Sequence, residues 1–285
     1  MGITKSLATF LAIASRTWPI EEPVLVLGKQ HVHVTFGEWK TLCKVYGAGD
    51  YLDLFDASVL TDMPLWTYGQ KSGFIADTVL LRGMGCKQVD FLDISGYEGA
   101  NIVHDLNLPV PANLLKRYKT IIDAGTSEHI FDVKTCFRNL HEMAQPGATI
   151  IHFTQGSNYL NHGFYQFSPT FFYDLYAKWG SENMQCYLTY QGFGDCTRNL
   201  WSWYTCKRQD TGAMALDAGC YGLTFVATKT SGTQTEAHSP QQGYASSLVP
   251  YPPPTRTYRI RSLAPGFLKA SLRRLKLRRQ RWKQI

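Results

Sequence analysis

Three short apolar runs, each closed by an acidic residue, fall within the stretch Val89–Asp132 and constrain the fold more than any other feature. Val89–Leu92 ends at Asp93, Ile102–Val103 leads through His104 to Asp105, and Thr120–Ile122 ends at Asp123. Short runs with β-branched residues, alternating with segments able to form helices, read as buried strands of a parallel sheet. Such a sheet binds its ligands outside the carboxyl ends of the strands, where these three aspartates lie.

The residue type at those ends has a chemical meaning. A carboxylate closing the second strand of a doubly wound sheet can accept hydrogen bonds from both hydroxyls of a ribose, and a second one along the crevice can meet an adenine amino group. The placement suits a ligand containing a nucleoside. Asp93 and Asp105 taken singly fit a turn or a helix N-cap equally well.

The rest of the chain extends the alternation. Pro23 precedes a first strand, Val24–Leu27, that ends at Gly28, where a glycine lets the backbone approach a ligand closely. Asp93 follows Gly28 by 65 residues, far more than the ~20 expected between a glycine turn and a ribose-binding acid. A Gly-, Tyr- and Trp-rich insertion over 37–73 accounts for the excess and is expected to form a lid, a substrate wall or a packing embellishment; the first crossover helix then falls over Phe74–Gly83. Above the fourth strand the loop DAGTSEH carries Glu128 and His129, the latter suited to general-base work by an ordinary pKa near neutrality, or to fixing the loop. A helix over Val133–Ala144 leads to a fifth strand, Ala148–Phe153. The loop Gln155–Pro169 follows, with Asn158, Tyr159, Asn161, His162, Tyr165 and Gln166 beside glycine, the mixture of polar and aromatic groups that a small-molecule pocket needs. Ser168-Pro169 starts a further helix to Trp179, and Gln185–Tyr190 and Tyr221–Thr228 read as strands six and seven, separated by an irregular aromatic excursion.

In this order the residues resemble a class I S-adenosylmethionine-dependent methyltransferase. The resemblance rests on the acid after the second strand (Asp93), Asp105-Leu106 after the third, Tyr118–Asp132 with its Glu128-His129 pair, and the Pro-Gly turn in Gln145–Phe153. It implies a doubly wound, Rossmann-like, seven-stranded α/β sheet with S-adenosylmethionine as cofactor. By the same resemblance Gly28, Asp93, Asp105, Leu106 and Asp123 are candidate cofactor contacts, and Glu128, His129 and His162 are candidate acid/base or acceptor-orienting groups. The first strand departs from the family, which has an acid near that strand and more glycines after it, whereas this chain has Val26, Lys29 and Gln30. A methyltransferase-like scaffold without catalytic activity is therefore the alternative reading. A nicotinamide enzyme is disfavoured by the lack of G-x-G-x-x-G and of a Tyr-x-x-x-Lys pair.

Composition divides the chain further. Of 29 Lys and Arg, eleven fall between Arg256 and Lys283 with no acid among them, which leaves 18 basic against 22 acidic residues elsewhere. The domain plan is an N-terminal helix over 1–22, a methyltransferase-like domain over 23–229, a Pro/Ser/Thr-rich linker over 230–257 and a basic amphipathic tail over 258–285. The basic stretch 256–283 suits an anionic membrane surface, nucleic acid or a protein partner. Leu7, Phe10, Leu11 and Ala14 recur at helical spacing and favour a helix packed on the domain over a signal peptide; Met1-Gly2 with Ser6 also fits a myristoylation pattern. Seven cysteines without Cys-x-x-Cys spacing point to free thiols, a reducing cytoplasmic compartment and no zinc site, and no His-Glu-x-x-His is present. The expected acceptor is a small molecule or a glycan-type group.

Overall fold

A computed structural model describes residues 2–46, 73–192, 202–206 and 219–231. Helix α1 (Lys5–Ala14) precedes β1 (Val24–Leu27); α2 (Phe36–Tyr46) and α3 (Asp77–Gly83) then lead to β2 (Val89–Asp93) and β3 (Ile102–Val103). The chain continues through β4 (Tyr118–Asp123), α4 (Val133–Met143), β5 (Ala144–Ser157), α5 (Pro169–Lys178), β6 (Glu182–Gly192), β7 (Ser202–Cys206) and β8 (Cys220–Thr228). One sheet takes the order β3-β2-β1-β4-β5-β8-β6-β7. Strands β1 to β5 pair in parallel, while β8 runs antiparallel to both β5 and β6. This is the expected doubly wound, Rossmann-like α/β sheet.

The pleat sorts the side chains into two cores. Val24 and Val26 of β1, Ile122 of β4, Ile151 of β5 and Val226 of β8 face α1, α2 and α3. Leu25, Leu27, Ile121, Ile150 and Phe225, each one residue out of phase, face α4 and α5. Alternation of this kind follows from the two-residue period of a strand, and a strand covered on both faces can be apolar throughout. All four residues of β1 are buried.

All seven expected strands are present, several with shifted ends, and an eighth is added. Helix α4 stops at Met143, and β5 starts at once with Ala144, bulges past Pro146-Gly147 and regains register at Thr149. Gly147 there has φ +81, the left-handed region that glycine enters without strain. An eighth strand, β7, occupies part of the excursion expected to be irregular, pairing with β6 at the edge of the sheet. The first crossover helix is shorter than Phe74–Gly83, because Phe74 instead bridges Thr35 in an antiparallel pair and Ile75 donates to the Val34 carbonyl. The chain thus leaves at Thr35 and returns at Phe74 side by side, which pins the ends of the inserted segment; most of that segment, the linker beyond residue 231 and the basic tail lie outside the described residues.

Helix α1 carries Leu7, Phe10 and Leu11 into the core, capped by Thr4, whose Oγ1 accepts the Leu7 N–H. Ile3 forms a parallel bridge with Val32, and a side-chain carbon on Gly2 would fall 2.1 Å from the His31 carbonyl oxygen. The N-terminal segment is therefore part of the domain. Cys43, Cys86 and Cys136 are buried, and burial pushes the thiols of Cys43 and Cys86 up to about 12. Among the described residues no helix is long and apolar enough to cross a membrane.

Candidate functional site

The order of the sheet places a crevice between β1 and β4, because the chain winds outward from β1 to β3 and then crosses back to β4. Gly28 sits at the β1 end of that crevice with φ +67. A Cβ added there would lie 3.2 Å from Thr126 Oγ1, 3.4 Å from Gln30 Nε2 and 3.5 Å from Asp93 Oδ2. Only glycine combines that backbone angle with such close neighbours. The Leu27 carbonyl, with no strand residue left to serve it, accepts from Thr126 Oγ1 at 3.0 Å and Gln30 Nε2 at 2.7 Å. Gln30 Oε1 is buried and has no hydrogen-bond partner.

Where the resembled family has further glycines, this chain uses side chains. Lys29 Nζ pairs with Asp77 Oδ1 at 2.7 Å and lies 3.7 Å from the centre of the Phe91 ring. Asp77 Oδ2 accepts the Gln30 N–H at 2.9 Å. Asp77 is the first residue of α3 and is buried, so its charge also complements the positive end of that helix. The turn is thereby held by an ion pair to α3, an arrangement that the sequence concealed because Asp77 lies beyond the insertion.

Asp93 ends β2 half-buried beside Gly28, with Oδ1 accepting the Ser95 N–H at a long 3.4 Å. Its Oδ2 is the oxygen that lies next to the Gly28 turn. Asp105 is held in its own turn: Oδ1 accepts from the backbone N–H of Asn107 at 2.9 Å and from Asn107 Nδ2 at 2.7 Å. These two bonds hold its carboxyl below the ordinary carboxylate range. Leu106 is buried in the core, and its carbonyl accepts from Asn139 Nδ2 at 3.1 Å.

Asp123 is turned inward. It is fully buried, 2.9 Å from His152 Nδ1, and accepts the N–H groups of Thr126 and Ser127 at 3.1 and 3.2 Å. Burial alone would raise its pKa, but the His152 contact and these donors outweigh burial and hold it below the ordinary value. The other His152 nitrogen lies 2.5 Å from the Tyr176 hydroxyl, and the ring packs against Phe137 and Phe172. An ionised Asp123 requires the Nδ1–H form of His152. Asp123, a candidate cofactor contact by the resemblance, directs its carboxylate to His152 and to the loop that carries Thr126, Glu128 and His129. The signal missed was the histidine in Ile150-Ile151-His152-Phe153, a polar residue inside an apolar strand.

Glu128, His129 and His162 come together. One carboxylate oxygen and one nitrogen from each imidazole all lie within 4.8 Å of one another, and the two rings are 5.0 Å apart. Two loops meet here through the backbone: the Glu128 carbonyl accepts from Phe164 N at 2.7 Å and Tyr165 N at 3.2 Å. Gly163, with φ +71, permits the approach, since its Cβ would fall 2.8 Å from that carbonyl oxygen. Glu128 is fully buried, with Oε1 3.5 Å from Gln155 Nε2. Burial, then the nearby Asp123, pushes its carboxyl up to about 8. Burial holds both histidines below the ordinary imidazole value. Phe131 and Phe164, 70% and 64% exposed, stack edge to face at 5.5 Å in the same pair of loops.

The strand order and the crevice define a Rossmann-like α/β protein with its polar residues gathered at the carboxyl end of the sheet. Among known proteins, no family model matches the chain and no curated protein does. Solved structures similar to it include an S-adenosylmethionine-dependent methyltransferase from Archaeoglobus fulgidus, at 11% identity over 78% of this chain and 94% of that one, with a TM-score of 0.38. Another is a 1,6-didemethyltoxoflavin-N1-methyltransferase from Burkholderia thailandensis, at 12% identity over 79% and 78%, TM-score 0.38. Identities and scores this low leave the reading of the site to the chain's own residues.

Proposed function

We propose that the chain binds S-adenosylmethionine across the β1–β4 crevice and transfers its methyl group to a small-molecule or glycan-type acceptor. The observation that carries the reading is the Gly28 turn, in left-handed conformation, with Asp93 Oδ2 and Thr126 beside it at the point where the sheet reverses its winding. Asp93 would accept both ribose hydroxyls through its open oxygen, and the buried, unpartnered Gln30 Oε1 offers a second acceptor at the same turn. Asp105 and Leu106 would meet the adenine; Asp105 has one oxygen outside the Asn107 bonds for the purpose. Asp123 acts as a positioning residue beneath the loop.

Bound there, S-adenosylmethionine would supply an electrophilic methyl group on a positively charged sulfur, held by Gly28, Gln30 and Asp93, and the proton lost by the acceptor would pass to His129, His162 or Glu128 at the rim or to water. The protein has little covalent work in such a step, so alignment of acceptor, methyl carbon and sulfur supplies most of the acceleration. Glu128, His129 and His162 form the rim toward which the acceptor would lie, and the exposed Phe131–Phe164 pair suits an acceptor with an apolar face.

The test is calorimetric titration of the folded chain with S-adenosylmethionine and S-adenosylhomocysteine, with Asp93→Ala alongside. Saturable binding weakened at least tenfold in the variant, about 1.4 kcal/mol, is expected. No binding to the folded wild type up to millimolar cofactor would overturn the reading in favour of a methyltransferase-like scaffold. One observation favours that second reading: Lys29 and Asp77 fill the turn that the resembled family leaves to glycine.

A further inference from the structure

We infer that Glu128, His129 and His162 form a binding site for one divalent transition-metal ion of the zinc type. Two imidazoles and one carboxylate are the donor set that Zn²⁺ takes in three-ligand sites with an open position and that Fe²⁺ takes in facial triads, whereas Mg²⁺ and Ca²⁺ favour oxygen ligands and water. The three ligand atoms lie within 4.8 Å of one another, one fully buried, one half-buried and one exposed.

A second observation is independent of that clustering. Glu128 Oε2 and His162 Nε2 are both buried atoms without a hydrogen-bond partner. A polar oxygen withdrawn from water and left without a partner is costly. A cation between the three side chains removes that cost. The loops that carry them are joined by the two backbone hydrogen bonds to the Glu128 carbonyl, so the donors are brought together before any ion arrives.

Ligand atoms held at about 2.0–2.2 Å from a tetrahedral ion stand roughly 3.4 Å apart. The exposed side chain of His129 is the one with room to move and close the difference, while Glu128 is buried. The remaining coordination positions then open toward solvent, beside Phe131 and Phe164, where an oxygen of an acceptor can enter. The histidines do not follow a local metal motif, because His162 reaches the site from a different loop.

The metal site uses the residues that the methyl-transfer reading places at the acceptor rim, but its binding is measured without cofactor, so the two readings are tested separately on the same samples. The full chain, stripped with chelator and dialysed, is titrated with Zn²⁺ and with Co²⁺, following heat and the visible absorption of Co²⁺, with Mg²⁺ as the contrast. One equivalent of Zn²⁺ or Co²⁺ is expected, with nitrogen-type Co²⁺ bands and no comparable Mg²⁺ binding. His129→Ala and His162→Gln should each weaken it at least tenfold; His129 is exposed, so its variant keeps the fold and keeps the test decisive if His162→Gln does not. Failure of the wild type to take up either ion, or uptake undiminished in folded His129→Ala, overturns the site. Metal uptake without S-adenosylmethionine binding sinks the methyl-transfer reading alone.

Discussion

At the scale of single residues, conformation and charge compensation decide the outcome. Gly28→Ala forces an L-residue to φ +67 with Thr126 Oγ1 at 3.2 Å. It should cost about 1–2 kcal/mol of stability from the left-handed backbone alone, and weaken cofactor binding as well, read by urea unfolding and titration of the same sample. His152→Ala leaves Asp123 buried without its main partner and opens a space between Phe137 and Phe172. Removing one member of a buried pair costs about 3–5 kcal/mol, so the variant should be the least stable of these point changes; an unfolding midpoint matching the wild type would refute the support role. Gly28 and Asp93 stand out in the sequence because each ends an apolar run, and the structure sets them side by side. Asp123 ends a run in the same way, yet its side chain is fully buried against His152, and nothing local distinguishes the two orientations. His152, Tyr176 and Asp77 escaped notice because their partners lie 24 or more residues away.

At the scale of elements, the termini of helices and loops carry the predictions. Asp132 caps α4, accepting from Thr135 N at 3.0 Å and Thr135 Oγ1 at 2.7 Å, and these bonds hold its carboxyl below the ordinary range. Asp132→Ala should cost about 1 kcal/mol near neutral pH. Because the folded pKa is lowered, that contribution is present above the unfolded value of about 3.9 and is lost as pH falls through the folded one. Denaturation curves of wild type and variant should therefore converge in acid; a constant gap between them would contradict the assignment. Gly163→Ala places a methyl 2.8 Å from the Glu128 carbonyl and so separates the two loops. The expected result is loss of Zn²⁺ uptake with the far-ultraviolet circular dichroism retained, since the sheet does not pass through this contact. Strand β5 was legible only at its centre: Pro146-Gly147 reads as a turn, yet the bulge lets Ala144 pair with Tyr118 before it. Strand β7 was hidden in an aromatic stretch without clear alternation, and pairing with β6 organises its backbone there.

At the scale of the whole molecule, the sheet is a two-sided structure and each side needs its cover. Leu7, Phe10 and Leu11 of α1 are buried against the face that carries Val24, Val26 and Val226. At about 1.5–3 kcal/mol for each side chain, their burial is comparable with the net stability of ~5–15 kcal/mol typical of a domain. Deleting residues 2–16 should abolish cooperative unfolding, and a truncated chain that melts like the full one would place the cover elsewhere. The parallel pairing has a consequence for synthesis. Strand β1, apolar throughout, leaves a ribosome before its neighbours in the sheet, which begin at Val89 and Tyr118. Until translation reaches them, a nascent chain holds a strand with two unpaired edges, and long-range parallel pairing is slow to form. Among the described residues helix α1 precedes β1 and packs on one of its faces, so this short segment, whose pattern also fits a leader, can shield the centre of the sheet while those edges wait for their partners.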